Sequence, residues 1–323
     1  MSTPALAHDI VFTSYPAASA QKLGVKCSHA FIALDLKTGK VLWHRWIDSD
    51  VMSAPVAIGD EVCCTSLAGT VYRFKQRDGT VIAAYRARAT SAPVVYAGQM
   101  FWTQRADEKD KVLEGLVRAD LANQQLHRFN DKEAPYIDAR IQTLSHLNYL
   151  ATQLDAGNGF AGGPPVSANA MAAFGNIGQS TVSALQMFQG SRMLVQNNHT
   201  YNCMGDELVR TRLDNQSTVW RKKLQGDLAR DGGHFGAPPI LVGGQLIVST
   251  LQGDVLVFDP CSGEVRGTFS TGSPIRCQPI AVHGHIYVST QDGRLVCIRT
   301  NNPQLTGWFT WGANMAHTNS TTE

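Results

Sequence analysis

Residues 33–43 read ALDLKTGKVLW, a run in which two apolar segments flank a short polar turn. Asp35 opens that turn and Gly39 closes it. Glycine adopts the positive φ that tight turns require, and aspartate commonly hydrogen-bonds the backbone of such turns. The run therefore predicts two antiparallel strands joined by a hairpin.

The same phrase recurs along the chain. Residues 71–81 read VYRFKQRDGTV and residues 255–265 read VLVFDPCSGEV, with Gly79, Asp259 and Gly263 at the turn positions. Weaker copies occupy residues 116–123 and 208–215. Repetition of one hairpin phrase indicates a fold built from repeated units.

A second phrase precedes each hairpin, and in it a proline lies seven residues before a matching apolar residue. The pairs are Pro4 and Val11, Pro55 and Val62, Pro93 and Met100, Pro239 and Leu246, and Pro279 and Ile286. Proline is tolerated at the first residue of a strand, and the glycine-containing pairs between the two segments suit a tight turn. A degenerate sixth copy over residues 183–195 predicts a second strand at residues 193–195.

Together the two phrases give four short antiparallel strands in each repeat of roughly 40 residues, which is typical of a propeller blade. We therefore predict an all-β chain that forms a single β-propeller domain over residues 1–323. Six blade units are clear in the sequence, and we expect six to eight in total.

The strand phrase disappears over residues 131–180, where we predict a helical and loop insertion. Ile137, Ile141 and Leu144 lie three and four residues apart, which predicts a helix over residues 134–156. Three interpretations remain open: a helical hairpin that caps a blade, a lid or partner-docking element over the central channel, and a decayed blade.

The opening phrase closely resembles the repeat of PQQ-like β-propellers, a family that includes the outer-membrane assembly scaffold BamB and the quinoprotein dehydrogenases. Residues 253–259 (GDVLVFD) and 293–298 (GRLVCI) resemble the third strand of that repeat. Residues 307–318 (GWFTWGANMAHT) resemble the terminal phrase of secreted bacterial PQQ-like proteins. The resemblance covers residues 3–130 and 181–318 and implies a propeller.

Trp43 and Trp220 occupy equivalent positions in their repeats. In PQQ-like propellers this tryptophan packs between neighbouring blades, so the resemblance implies a structural role for both. The other repeats carry Ala83, Arg128 and Gly267 in or near that place.

The resemblance implies a non-enzymatic scaffold that binds a protein or peptide, similar to BamB. The alternative is a PQQ-dependent oxidoreductase, with calcium, or a small-ligand sensor that uses the central channel. Cys63-Cys64 resembles the vicinal disulfide of quinoprotein dehydrogenases. Successive side chains of a strand point to opposite faces, however, so we expect two unlinked cysteines. No set of cofactor ligands can be transferred, and PQQ is not favoured.

The loop between the fourth and fifth clear repeats carries the candidate ligand- or partner-binding residues, Arg230, Asp231 and His234. Binding residues concentrate on loops held by a rigid scaffold. A structural role for His234 in this glycine-rich loop is the alternative. His283 and His285 flank a turn without an evident third ligand, so no metal site is predicted.

The composition and the sequence of the N-terminus limit which classes of protein this chain can belong to. A net charge of +2 without a basic stripe argues against nucleic-acid binding. No apolar run has the ~20 residues that a membrane-spanning helix needs. PQQ-like propellers are usually periplasmic or secreted, yet residues 1–9 lack a signal peptide. We therefore expect that an N-terminal stretch with the signal, and one or two blades, has been removed, which predicts an open or imperfectly closed ring.

Overall fold

The computed structural model describes residues 4–17, 27–52, 54–108, 111–122, 125–133, 193–226, 235–303, 305–308, 310 and 312–314. Within these ranges all regular structure is β, arranged as six antiparallel sheets that follow one another along the chain. The predicted all-β propeller with six clear blades is confirmed. The helix predicted over residues 134–156 lies outside the described residues.

The first three blades each contain four strands. Blade 1 comprises β1 (Ala5–Ala7), β2 (Ile10–Pro16), β3 (His29–Asp35) and β4 (Val41–Ile47). Blade 2 comprises β5 (Val56–Ile58), β6 (Glu61–Thr65), β7 (Thr70–Lys75) and β8 (Val81–Arg86). Blade 3 comprises β9 (Val94–Tyr96), β10 (Gln99–Glu108), β11 (Lys111–Asp120) and β12 (Leu126–Glu133).

The last three blades differ in strand number. Blade 4 comprises β13 (Met193–Gln196), β14 (His199–Met204), β15 (Glu207–Arg212) and β16 (Thr218–Lys223). Blade 5 comprises β17 (Ile240–Val242), β18 (Gln245–Ser249), β19 (Asp254–Phe258) and β20 (Val265–Ser270). In the part of the chain that the structure describes, blade 6 has three strands, β21 (Ile280–Val282), β22 (His285–Ser289) and β23 (Leu295–Arg299). The final strand, β24 (Gly307–Trp308), pairs with β17 as a fifth strand of blade 5.

The order of strands defines an inner and an outer edge for each blade. Every blade is an antiparallel meander whose first and last strands lie at opposite edges, except that in blade 5 strand β24 pairs outside the first strand, β17. First strands of neighbouring blades approach one another, β1 with β5 and β9 with β13. Fourth strands such as β20 are largely exposed. The first strands therefore lie toward the centre of the propeller and the fourth strands form its perimeter.

Hydrophobic clusters join consecutive blades. Blades 1 and 2 share a cluster that includes Phe12, Phe31, Trp43 and Phe74, and the other clusters join blades 2 and 3, blades 3 to 5, and blades 5 and 6. Burial of such faces is the main favourable contribution to folding, at about 25 cal/mol per Å². Among the described residues no hydrophobic cluster joins blade 1 to blade 6.

The assignment of residues 193–195 to a second strand is wrong. Met193–Gln196 forms the first strand of blade 4, and the hairpin turn follows it at Asn197 and Asn198. Both asparagines have positive φ, 50° and 60°. Asparagine tolerates this region better than most residues, so the pair makes a two-residue turn without glycine.

The predicted start of the insertion, residue 131, also needs correction. Strand β12 continues to Glu133 because β11 is ten residues long and keeps pairing beyond a bulge. The register resumes with Leu113 opposite Glu133 and Glu114 opposite Lys132.

In the ranges that the structure describes, no helix is long and apolar enough to cross a membrane.

Candidate interaction groove

The loop predicted to carry Arg230, Asp231 and His234 falls on residues 227–234, which lie outside the described residues. Its C-terminal end is fixed by Phe235, which is buried and donates its backbone N–H to the Gly205 carbonyl at 2.8 Å. The three side chains therefore stay predicted site residues.

An open groove of about 1050 Å³ lies between blade 1 and blade 2. Its lining comes from equivalent positions of the two blades, the β1–β2 turn and the β5–β6 turn, together with the start of β4 and the β7–β8 turn. The apolar part of this lining includes Leu6, Ile10, Leu42 and Ile58. Turns of equivalent hairpins lie at the same end of their strands, which places these residues side by side.

Tight turns shape the two walls of the groove. His8 and Asp9 both adopt positive φ, 49° and 59°, in the two-residue turn between β1 and β2. Gly59 has a φ of 56° in the equivalent turn of blade 2. Turns of this kind match the twist of the flanking strands and keep each hairpin short.

Gln76 holds the turns together from beneath. Its side chain is buried, and its Nε2 donates to the carbonyls of Gly59 at 3.1 Å and Glu61 at 2.8 Å. Its Oε1 lies 3.0 Å from Nδ1 of His8. The indole Nε1 of Trp43 donates to the Gln76 backbone carbonyl at 2.7 Å. Because one side chain bridges both blades, the floor of the groove is fixed rather than adaptable.

Charged groups of both signs stand at the rim. Asp60 and Arg77 are exposed members of the lining, and Lys37 pairs with Asp9 at 3.6 Å beside it. Leu6 and Leu42 are 42% and 49% exposed, so the apolar surface is open to solvent. An apolar centre bordered by charged groups is typical of protein interfaces.

The sequence interpretation did not single out these groove residues. One signal was present: alternation along β4 buries Trp43 and therefore turns Leu42 outward. A large exposed aliphatic residue beside a repeated turn is a weak signal by itself. The groove becomes evident only when Leu6 and Ile58 of two separate repeats are brought together.

The residues predicted to be structural lie in turns and between blades. Trp43 lies against Gly79 of the next blade, and Trp220 lies against Gly263 and donates from Nε1 to the Pro260 carbonyl at 3.2 Å. Both glycines have positive φ, 68° and 69°.

Aspartates begin the equivalent turns. The Oδ1 of Asp35 accepts hydrogen bonds from the Thr38 hydroxyl and backbone N–H, both at 2.7 Å. The side-chain hydrogen bond from Thr38 lowers the pKa of Asp35. Asp259 accepts from the backbone N–H groups of Ser262 and Cys261, and the former contact is the main cause of its lowered pKa. Gly39 closes the Asp35 turn with a φ of 68°.

Cys63 and Cys64 are both free and buried. Cys63 belongs to the cluster between blades 2 and 3, whereas Cys64 belongs to the cluster between blades 1 and 2. Burial raises the pKa of Cys63 to about 12 and raises that of Cys64 strongly. Within the described residues, no three His, Cys, Asp or Glu side chains form a group able to hold a metal ion.

Solved structures of low sequence identity are similar to this chain. The computationally designed Ika8 protein matches with a TM-score of 0.57 and 10% identity, over 92% of this chain and 70% of that chain. BamB from Moraxella catarrhalis matches with a TM-score of 0.42 and 11% identity, over 90% of this chain and 81% of that chain.

A europium-containing methanol dehydrogenase matches with a TM-score of 0.49 and 12% identity, over 91% of this chain and 54% of that chain. This chain therefore spans about half the length of that enzyme. No curated protein sequence matches this chain.

The family model for outer membrane protein assembly factor BamB matches residues 5–132 and 205–315. The matched segments cover all six blades except parts of blades 3 and 4, and together they make up well over half of the chain. The chain therefore belongs to the BamB family of PQQ-like β-propellers.

Proposed function

We propose that this chain is a non-enzymatic scaffold that binds a protein or peptide partner in the groove between blades 1 and 2. The observation that carries the proposal is the open apolar groove of about 1050 Å³. Drug-sized ligand pockets span about 300–1,000 Å³ and enclose most of their ligand. An open groove at the upper end of that range, with exposed Leu6 and Leu42 along it, suits a chain segment better than an enclosed small molecule.

The rigid floor strengthens this assignment. A partner segment that enters the groove meets turns already fixed by Gln76, so little conformational entropy is lost by the scaffold on binding. Leu6, Leu42 and Ile58 supply apolar contact area, and the charges of Asp60 and Arg77 set the direction of the bound segment.

The alternative is a PQQ-dependent oxidoreductase or a small-ligand sensor, and the placement of two cysteines favours the scaffold over it. Cys63 and Cys64 point into two different buried clusters, so the pair cannot lie together against one face of a cofactor. Strand β24 lies on the inner edge of blade 5, and its Trp308 is buried in the cluster of blades 3 to 5.

The proposal also covers where the protein acts, its domain organisation and further residues that bind the partner. The family description, outer membrane protein assembly factor, supports a periplasmic or secreted site of action. We assign residues 1–323 to one domain, with the segment over residues 131–180 inserted in it. Arg230, Asp231 and His234 remain proposed partner-binding residues on the loop between blades 4 and 5.

A phage-displayed peptide library tests the proposal. We expect selection on the full chain to enrich apolar peptides that carry at least one charged residue. A selected peptide should bind a Leu6→Asp/Leu42→Asp variant at least about 10-fold more weakly, because the two introduced carboxylates lose their hydration when the peptide covers them. Val265→Asp is the matched control, since Val265 is also an exposed aliphatic residue but lies on the perimeter of blade 5.

Two results would contradict the proposal. One is equal binding of the selected peptides to the wild type and to the groove variant. The other is dye-linked alcohol oxidation by the protein after incubation with PQQ and Ca²⁺, which would establish an oxidoreductase instead.

A further inference from the structure

Among the described residues, blade 6 lacks the fourth strand that completes each of the other blades. In blades 1 to 5 the third strand pairs on one side with the second strand and on the other with a fourth. In blade 6 the third strand, β23, has only β22 beside it among the described residues. The next strand along the chain, β24, pairs with β17 of blade 5. In the described part of the chain, the outer edge of β23 therefore has no strand paired to it.

Exposure along β23 agrees with an open edge. Leu295 is 73% exposed, and Cys297 and Arg299 are exposed as well. The equivalent strand of blade 2, β7, is mostly buried. Every second residue of an edge strand directs its backbone N–H and C=O outward, which makes the edge a template for another strand.

The complete blades define the register of the missing strand. Ile298 pairs with Ile286 of the second strand, just as Phe258 pairs with Leu246 in blade 5. Phe258 faces Val265 on its other side, after a bulge that places Gly267 opposite Val257.

Blades 1 and 2 repeat this register. Leu34 faces Val41 and Phe74 faces Val81, each time after a bulge at the same place. A valine thus faces the residue equivalent to Ile298 in all three blades. The position equivalent to Cys297 faces Trp43 in blade 1, Ala83 in blade 2, Trp220 in blade 4 and Gly267 in blade 5.

The residue before the valine lies beside the end of the third strand. In blade 5 the Asp259 backbone N–H donates to the Glu264 carbonyl at 2.8 Å, and the same bond joins Lys75 to Thr80 at 2.9 Å. The equivalent third-strand residue in blade 6 is Arg299. Arg299 is exposed and has no ion pair among the described residues. A carboxylate in the incoming strand would therefore face a positive charge.

We propose that the edge of β23 binds an extended segment of a partner polypeptide, which completes blade 6 as its fourth strand. The segment runs antiparallel to β23. It carries an acidic residue beside Arg299, then a β-branched apolar residue opposite Ile298, one further residue at the bulge, and a fourth residue opposite Cys297. Main-chain hydrogen bonds supply affinity in this mode of recognition, and alternate side chains supply specificity. This surface is separate from the groove between blades 1 and 2.

Cys297 makes the docking measurable on the full, unmodified chain. The probe is a synthetic peptide with the sequence of residues 264–271 of this protein, EVRGTFST, carrying Gly267→Cys as a mixed disulfide with thionitrobenzoate. When the peptide docks in register, the Cys297 thiolate attacks the peptide sulfur and thionitrobenzoate leaves. Its absorbance gives the rate, and mass spectrometry identifies the modified cysteine.

Matched controls isolate main-chain pairing from simple thiol reactivity. The same peptide with N-methylated backbone amides has the same thiol but cannot form the ladder. We expect Cys297 to react about 10- to 100-fold faster with the unmethylated peptide, because docking raises the effective concentration of the peptide thiol. Cys261 is exposed in the complete blade 5 and should react equally slowly with both peptides.

Equal rates at Cys297 for the two peptides would overturn the proposal. Rapid formation of Cys297–Cys297 dimers without peptide would also overturn it, because a second copy of the chain would then occupy the edge. The Leu6→Asp/Leu42→Asp variant should react with the peptide as fast as the wild type. This last measurement distinguishes a failure of the proposed docking on β23 from a failure of the groove proposal.

Discussion

The indole of Trp43 in blade 1 lies against Gly79 in blade 2, so closely that a β-carbon at Gly79 would lie 2.5 Å from Trp43 Cε3. Trp220 and Gly263 repeat the relationship between blades 4 and 5, where the nearest indole atom would lie 2.8 Å from the added carbon. The turn glycine of one blade is thus the contact surface for the tryptophan of the preceding blade. This contact positions the groove, because the same indole donates a hydrogen bond to Gln76.

The Trp43–Gly79 contact predicts unequal effects of two glycine substitutions. Gly39 and Gly79 share a φ of +68°, but an added β-carbon at Gly39 meets nothing within 4 Å. Gly39→Ala should cost about 1–2 kcal/mol of unfolding free energy through the left-handed backbone alone. Gly79→Ala should cost about 1–3 kcal/mol more, because Trp43 must move. Urea denaturation measures both, and equal losses would show that the indole contact is dispensable.

The Arg73–Glu61 ion pair predicts a large loss of unfolding free energy when the Glu61 carboxylate is removed. Both Arg73 Nε and Nη2 donate to Glu61 at 2.9 Å, and the Arg73 side chain is only 3% exposed. Glu61→Gln leaves a buried guanidinium without its counter-charge, and we expect a loss near the lower end of the ~3–5 kcal/mol seen for broken buried pairs.

Asp214→Asn is the control for that experiment. Its partner Arg212 lies 2.6 Å away, but both side chains are more than 40% exposed. Exposed pairs contribute about 0–1 kcal/mol, so thermal unfolding should change little. Similar losses in the two variants would contradict the buried character of the Arg73–Glu61 pair.

Burial of the cysteines predicts which thiols react. A maleimide at neutral pH should modify the exposed Cys261 and Cys297 in the folded protein. Cys63 and Cys64 should react only after unfolding, because both are buried and burial raises their pKa, that of Cys63 to about 12. Peptide mapping by mass spectrometry checks this. A Cys63–Cys64 disulfide in the native protein would be incompatible with their placement in separate clusters.

Asp292 predicts a loss of stability in acid. The side-chain hydrogen bond from Arg294, followed by that from Thr290, lowers the pKa of Asp292 from 3.8 to about 2. Because the folded pKa lies below the unfolded one, the stabilisation is complete above pH ~4 and is lost as the pH falls toward 2. Asp292→Asn should flatten the dependence of the unfolding midpoint on pH in this window. An unchanged slope in the variant would assign the acid sensitivity to other carboxylates.

Local sequence signals predicted much of the fold because strand alternation and turn chemistry act over a few residues. Asp35 and Gly39 marked a hairpin, and the proline phrase located the first strands of five blades. The fourth blade was placed out of phase because its turn uses Asn197 and Asn198 instead of glycine. The sheet that β24 joins could not be predicted, since its pairing with β17 brings together residues far apart in the chain.

The groove could not be predicted from local sequence patterns for the same reason. Leu6 and Ile58 belong to different repeats, and the buried side chain of Gln76 hydrogen-bonds to the turns of both. No spacing in the sequence encodes that contact. Arg230, Asp231 and His234 were selected from loop composition alone, and their part in binding stays a prediction.

A crystal structure of the chain with a peptide selected from the display library tests the central claim most directly. We predict that the peptide lies between blades 1 and 2, with apolar side chains against Leu6, Leu42 and Ile58 and a charged group near Asp60 or Arg77. A peptide bound elsewhere on the propeller, with the groove between blades 1 and 2 left to solvent, would contradict the account.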